Sequence, residues 1–171
     1  DLGDKFNTSN VKNMQNMFNW MGALTTLKLG DKFDTSSVTN MEGMFWGTGY
    51  FSITSINLGD KFDTSSVTNM KRMFYNTGYK AMTSLNLGKL FDTSAVTDMN
   101  QMFYKTGHEK MTTLTLGDKF NTSKVTDMSD MFSETGFKVM TSLDLGNQFY
   151  TTAATDMSNM FNACGQTAMT A

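Results

Sequence analysis

The thirteen letters LGDKFDTSSVTNM at positions 29–41 return unchanged at 58–70. They belong to a repeat that runs the length of the chain. Leu2, Leu29, Leu58, Leu87, Leu116 and Leu145 recur at a spacing of twenty-seven once and twenty-nine thereafter. A phenylalanine follows each leucine four positions later: Phe6, Phe33, Phe62, Phe91, Phe120 and Phe149. A Met-Phe pair closes each unit, from Met17-Phe18 to Met160-Phe161. The one short interval has a local origin. The step from Phe18 to Leu24 is shorter by two positions than the equivalent step from Phe45 to Ile53, so one loop is trimmed and the rest of that unit is intact. Self-similarity at such a period constrains the fold more than any composition does, because units of this size bury their apolar faces against one another. The 171 residues are therefore read as one continuous body, not as one or two ordinary globular domains.

Residues 82–107, MTSLNLGKLFDTSAVTDMNQMFYKTG, represent one unit. The alternation at its start predicts a short strand, with Leu85 and Leu87 inward and Ser84 and Asn86 outward. Gly88 ends that strand. Asp92, Thr93 and Ser94 offer N-cap side chains. Val96, Met99, Met102 and Phe103 then form the apolar stripe of a short helix, whether α or 3₁₀, which stops at Thr106-Gly107. About eight inward apolar side chains per unit gain ~1.5–3 kcal/mol each on burial. Ordering costs ~1–2 kcal/mol per residue, so a unit alone loses and a stack wins. The expected fold is an α/β repeat: a solenoid of about six turns of ~29 residues, with one parallel strand and one short helix per turn. It would fill residues 1–171 as a single domain.

The strand outline L-x-x-L-x-L, with FDTSSVTNMEGMF at 33–45 and TSLNLG at 83–88, resembles the BspA-like leucine-rich-repeat surface proteins of bacteria, in their Met-Phe variety. The resemblance covers nearly the whole chain. It implies a leucine-rich-repeat solenoid that is extracellular, secreted or held at the bacterial cell surface, and often an adhesin for host or neighbouring-cell molecules. The family has no shared catalytic residues, so the resemblance implies no enzyme and transfers no site. Two departures stand out. No wall-sorting signal is present, and Tyr150-Thr151-Thr152-Ala153-Ala154 replaces the usual Asp-Thr-Ser-x-Val. The chain starts inside a unit at Asp1-Leu2-Gly3 and stops inside one at Met169, which reads as a fragment of a longer protein.

The net charge of −2 shows no basic face and argues against a nucleic-acid partner. No apolar run approaches the length of a membrane span, so no membrane insertion is expected. The 17 methionines invite a soft-metal reading, but most sit at fixed inward positions that core filling by a flexible side chain explains. Asp34, Asp63 and Asp92, with Asn7 and Asn121, form a column. Asn serves capping as well as Asp does, which favours helix capping over a cation ladder. No metal and no cofactor are expected. His108 is the one histidine and has only Glu109 beside it. Cys164 stands where other units carry Thr48, Thr77, Thr106 and Thr135, two turns from His108. No phosphate loop, nucleophile elbow or zinc-protease motif occurs, and no catalytic residue is assigned.

Two surfaces are candidates for binding. One is the outward strand face, with Thr26, Ser55, Ser84, Thr113 and Ser142 flanked by Lys28, Asn57, Asn86, Thr115 and Asp144. The other is the loop after the helix, with Trp20, Trp46, Tyr50, Phe51, Tyr75, Tyr79, Tyr104, His108 and Phe137. Varied aromatics on a constant scaffold resemble binding hot spots; the competing reading is that the rings cover helix ends and pack between turns. The expected function is a recognition or adhesion module that binds a protein or glycan non-covalently. The alternative is a structural stalk or self-associating spacer. Two open sheet edges also predict end-to-end association of the fragment.

Overall fold

The computed structural model describes residues 1–3, 5–30, 32–59 and 61–168. Each repeat makes one coil, and coils 1 to 6 carry Phe18, Phe45, Phe74, Phe103, Phe132 and Phe161 in turn. Parallel bridges join Asn13, Asn40, Asn69, Asp98, Asp127 and Asp156 in sequence, so successive coils lie over one another in register. Two strands form, β1 (Ser84–Asn86) and β2 (Thr113–Thr115). They pair in parallel, with Ser84 opposite Thr113, Leu85 opposite Leu114 and Asn86 opposite Thr115. Leu85 and Leu114 point into the core and their neighbours point out.

No helix is present among the described residues, and these two strands are the only ones. The expected α/β leucine-rich-repeat solenoid, with a helix and a strand in every turn, is therefore overturned. The reason lies in where the N–H groups go. In coil 4, Met99, Gln101, Phe103 and Lys105 donate to the carbonyls of Asp127, Ser129, Met131 and Ser133 in coil 5, at 2.9–3.0 Å. Met102, Tyr104 and Thr106 donate three residues back, to Met99, Gln101 and Phe103. A helix needs every N–H on its own axis; here alternate ones leave for the next coil. Gln101 and Lys105 take left-handed φ values of 57° and 55° to permit this. The i, i+3 spacing of Val96, Met99 and Met102 suits a run of turns as well as it suits a helix.

The capping column changes its meaning accordingly. Asp34, Asp63, Asp92, Asn7 and Asn121 each accept the N–H two residues on, at 2.9–3.0 Å, and so close Asx turns instead of capping helices. The Ser36 bonds hold the Asp34 carboxyl below its ordinary range. Thr106-Gly107 likewise does not stop a helix. Gly107 has φ 55°, and a Cβ there would lie 2.3 Å from the Met111 Cβ, so the corner closes only around glycine.

The core is a set of columns. Phe18, Phe45, Phe74, Phe103, Phe132 and Phe161 stack with centroids 5.3–5.6 Å apart and interplanar angles of 2–11°. Phe33, Phe62 and Phe91 stack beside them at 6.3–6.5 Å. Tilted contacts such as Phe45–Phe62 and Phe74–Phe91 tie the two columns together. Met41, Met70, Met99 and Met128 are wholly buried alongside. Such offset ring pairs add ~0.5–1.5 kcal/mol each beyond buried area.

Candidate recognition surface

The Trp46 position lies where alternate N–H groups cross to the following coil, and the Tyr50 position where they cross to the preceding one, so each ring is set over its equivalent one coil away. Tyr50, Tyr79, His108 and Phe137 form one column, with centroids 4.5–4.9 Å apart and planes within 4–8°. Trp46, Tyr75 and Tyr104 form a second, at 5.2 and 4.8 Å. Trp20 joins the two, with its centroid 6.3 Å from both Trp46 and Tyr50. It lies across Gly47, where a Cβ would meet its ring at 2.9 Å. Phe51 meets Tyr50 edge-on at 4.9 Å. Phe51 is 62% exposed and Trp20 is 58% exposed, whereas His108 is buried between its neighbours.

Charges line the same surface. Arg72 sits 5.7 Å from the Trp46 ring centre and donates to Gln101 at 2.8 Å. Lys80 and Lys105 sit 5.1 Å from the rings of Tyr79 and Tyr104. Glu109 accepts from Lys138 and lies 3.7 Å from Lys80, which draws its carboxyl below the usual range. Lys105 pairs with Glu134 at 3.4 Å. His108 places Nδ1 3.4 Å from Glu109 and Nε2 3.4 Å from Glu134. Burial nonetheless lowers its pKa, against the pull of both carboxylates. Burial also raises the phenols of Tyr75 and Tyr79.

Among the described residues, four buried side-chain polar atoms lack a hydrogen-bond partner: Asn19 Oδ1, Trp46 Nε1, Asn76 Oδ1 and His108 Nδ1. All four belong to this surface, since Asn19 and Trp46 share one repeat position and Asn76 lies next to Tyr75. The Glu109 contact of His108 has the distance of an ion pair and not the geometry of a hydrogen bond.

The other surface is built differently. Thr26, Ser55, Ser84, Thr113 and Ser142 are exposed, as are Lys28, Asn57, Asn86, Thr115 and Asp144. Asn57, Asn86 and Asp144 spend an oxygen on the N–H of Gly59, Gly88 and Gly146, at 2.8–2.9 Å. No ring contact or ion pair joins this surface to the aromatic one among the described residues. Sequence reasoning passed over Lys80, Lys105, Glu134 and the exposed Met21, read Arg72 only as an outward polar residue, and weighed Glu109 only as the neighbour of His108. The periodic signal was present: Lys80, Glu109 and Lys138 alternate in sign from one repeat to the next.

Cys164 is half-buried beside Leu143, Leu145 and Phe161. Burial pushes its thiol up to about 11 and keeps it protonated. Among the described residues, no helix is long and apolar enough to cross a membrane.

No curated protein and no solved structure matches the chain. A family model described as Mycoplasma protein of unknown function, DUF285, matches residues 2–106 and again residues 78–169. Two overlapping matches along one chain are what a repeated unit produces, and between them they span all six coils: the chain belongs to the DUF285 family of repeat proteins.

Proposed function

We propose that this chain is a non-covalent recognition module, exposed on or secreted from a bacterial cell, whose aromatic surface binds a protein or glycan. The observation that carries this reading is the joint exposure of Trp20 and Phe51 on the surface that also holds both ring columns. Large exposed rings are ordinarily avoided outside contact sites. Their exposure is removed when a partner covers them. The resemblance to BspA-like surface proteins supports the location. The reading involves no nucleic acid, no cofactor and no catalysis.

The test is a glycan and protein array probed with the whole chain and with the Trp20→Ser/Phe51→Ser variant. Binding that the double substitution abolishes supports the reading; binding that it leaves intact sinks it.

A second reading, a structural spacer, draws on the uniformity of the stack. The hydroxyls of Thr68, Thr97, Thr126 and Thr155 each donate to the preceding threonine's carbonyl at 3.0–3.3 Å, a relay indifferent to any ligand. A spacer captures nothing on either array.

A further inference from the structure

The charged side chains of the aromatic surface differ in how far they stand out. Phe51, Lys80, Glu109 and Lys138 share one repeat position, next to the column of Tyr50, Tyr79, His108 and Phe137. The backbone N–H groups of Lys80, Glu109 and Lys138 donate to the carbonyls of Tyr50, Tyr79 and His108 at 2.9, 3.0 and 3.1 Å, which sets the three in a row along the stack. The side chains of Lys80 and Lys138 are 49% and 50% exposed, while Glu109 between them is 17% exposed. Glu109 accepts from Lys138 and stands 3.7 Å from Lys80, so one carboxylate serves two ammonium groups.

The other acids nearby are engaged as well. Glu134 pairs with Lys105 and faces His108 Nε2. Asp130 accepts the Gln101 amide at 3.5 Å, and Gln101 accepts from Arg72. Lys110, next to Glu109, is exposed and makes no ion pair among the described residues. A partner therefore meets ammonium groups first, on a chain whose net charge is −2. Phe51 heads the row, and the exposed Trp20 stands 6.3 Å from Tyr50 in the adjoining column. The hydroxyls of Tyr50 and Tyr79 donate and accept alike, so they favour neither sign of charge. Tyr79 and His108 have both ring faces covered by neighbours. The column there turns its edges outward, whereas a sugar ring lies on an open face.

We propose that this row binds an acidic polypeptide segment, with carboxylates on Lys80 and Lys138 and an apolar side chain against Phe51. The two lysines lie two coils apart, ~9–10 Å at the usual strand spacing, a distance that three residues of extended chain cover. The inference rests on the recognition reading above and names the chemistry of the partner.

Trp20 and Trp46 are the two tryptophans of the chain and both lie on this surface, so their fluorescence reads it directly. The experiment titrates the whole chain with nonapeptides of repeating Glu-Glu-Phe, Gln-Gln-Phe and Lys-Lys-Phe, and with polygalacturonate, a polysaccharide that carries carboxylates. The Glu peptide is expected to bind about 2- to 30-fold more tightly than the Gln peptide, the factor that two exposed ion pairs contribute. Added salt narrows that gap, and the Lys peptide binds most weakly. Lys80→Gln/Lys138→Gln closes the gap, while Phe51→Ser weakens the Glu and Gln peptides alike. Lys80→Glu/Lys138→Glu moves the preference to the Lys peptide; should that variant misfold, the glutamine pair decides. Equal binding of the Glu and Gln peptides, a gap that survives Lys80→Gln/Lys138→Gln, or a response to polygalacturonate without one to the Glu peptide overturns the proposal. If no peptide binds while an array ligand still engages the aromatic surface, this inference fails and the recognition reading stands. If no ligand engages the surface at all, both fail.

Discussion

The hydroxyl of Thr106 donates to the carbonyl of Phe74 at 2.6 Å, 32 residues back and one coil below. Thr48, Thr77 and Thr135 repeat the bond to Phe18, Phe45 and Phe103 at 2.7 Å, all four threonines being wholly buried. Coil 6 breaks the series, because Cys164 holds the equivalent place and a thiol is a weak donor. Thr106→Val is expected to cost ~1–3 kcal/mol, since it strands a buried carbonyl lone pair without changing shape. Cys164→Thr is expected to gain ~0.5–1.5 kcal/mol by restoring the bond to Phe132. Denaturant midpoints measured at constant m-value check both; opposite signs, or no effect from Thr106→Val, would count against the relay.

The corner at Gly107 gives a second expectation. Alanine there meets a left-handed backbone, worth ~1–2 kcal/mol for an L-residue, and collides with Met111. Gly107→Ala is expected to destabilise the chain by more than the backbone cost alone. Thermal unfolding alongside Met111→Gly, which alone removes the colliding Cβ, and the double variant checks this. The double-substitution penalty falls short of the sum if the two atoms compete for one space.

His108 makes stability depend on pH. Tyr79 and Phe137 cover its two faces, Glu109 and Glu134 approach its nitrogens, and Lys105 adds an opposing charge. Burial sets its folded pKa below the ordinary 6.5, so the unfolded chain binds the proton more readily. The contribution of neutral His108 is present above pH 6.5 and is lost as pH falls through the lower, folded pKa. His108→Phe, which copies the residue of coil 5, is expected to flatten that part of the curve. Unfolding free energies of both proteins between about pH 5 and 8 test it; parallel curves would refute it.

The ends of the stack expose Phe6 and Phe161, each 41–43% accessible, and Phe161 stacks on Phe132 with one face only among its ring contacts. We propose that the chain associates end to end, with a mass that rises with concentration. Phe161→Ser is expected to shift it toward monomer. Light scattering that reads a strict monomer at high concentration removes the idea.

Much of the stack was legible in the letters. The period placed Phe33 over Phe62 and Met70 over Met99, and strand alternation put Leu85 inward and Ser84 outward. The helix was not there to be found. A spacing of three and four fixes which side chains face the core, and both a helix and a chain of turns satisfy it; what separates them is the destination of the backbone N–H. One clue was available. Gln101 shares its left-handed place with Gly43, and Lys105 shares its own with Gly47, and glycine recurring inside an apolar stripe argues against a helix. The aromatic columns were visible as residues, and packing between turns was weighed for them as the reading that competes with binding; the face-to-face stacking of Tyr79, His108 and Phe137 needed the structure, because each partner lies a whole repeat away.

The alternation of N–H groups between the coil's own turns and its neighbour has a consequence for how such a molecule changes size. Any coil presents one mixed set of donors and acceptors to the coil after it and the complementary set to the coil before it, so excising one whole unit leaves two cut surfaces that already match. Growth or shrinkage by a full repeat then asks for no fresh chemistry, whereas a smaller loss must be absorbed at a corner. Coil 1 shows what that leaves behind: Gly22 where its siblings carry a ring, with Phe51 lying against it.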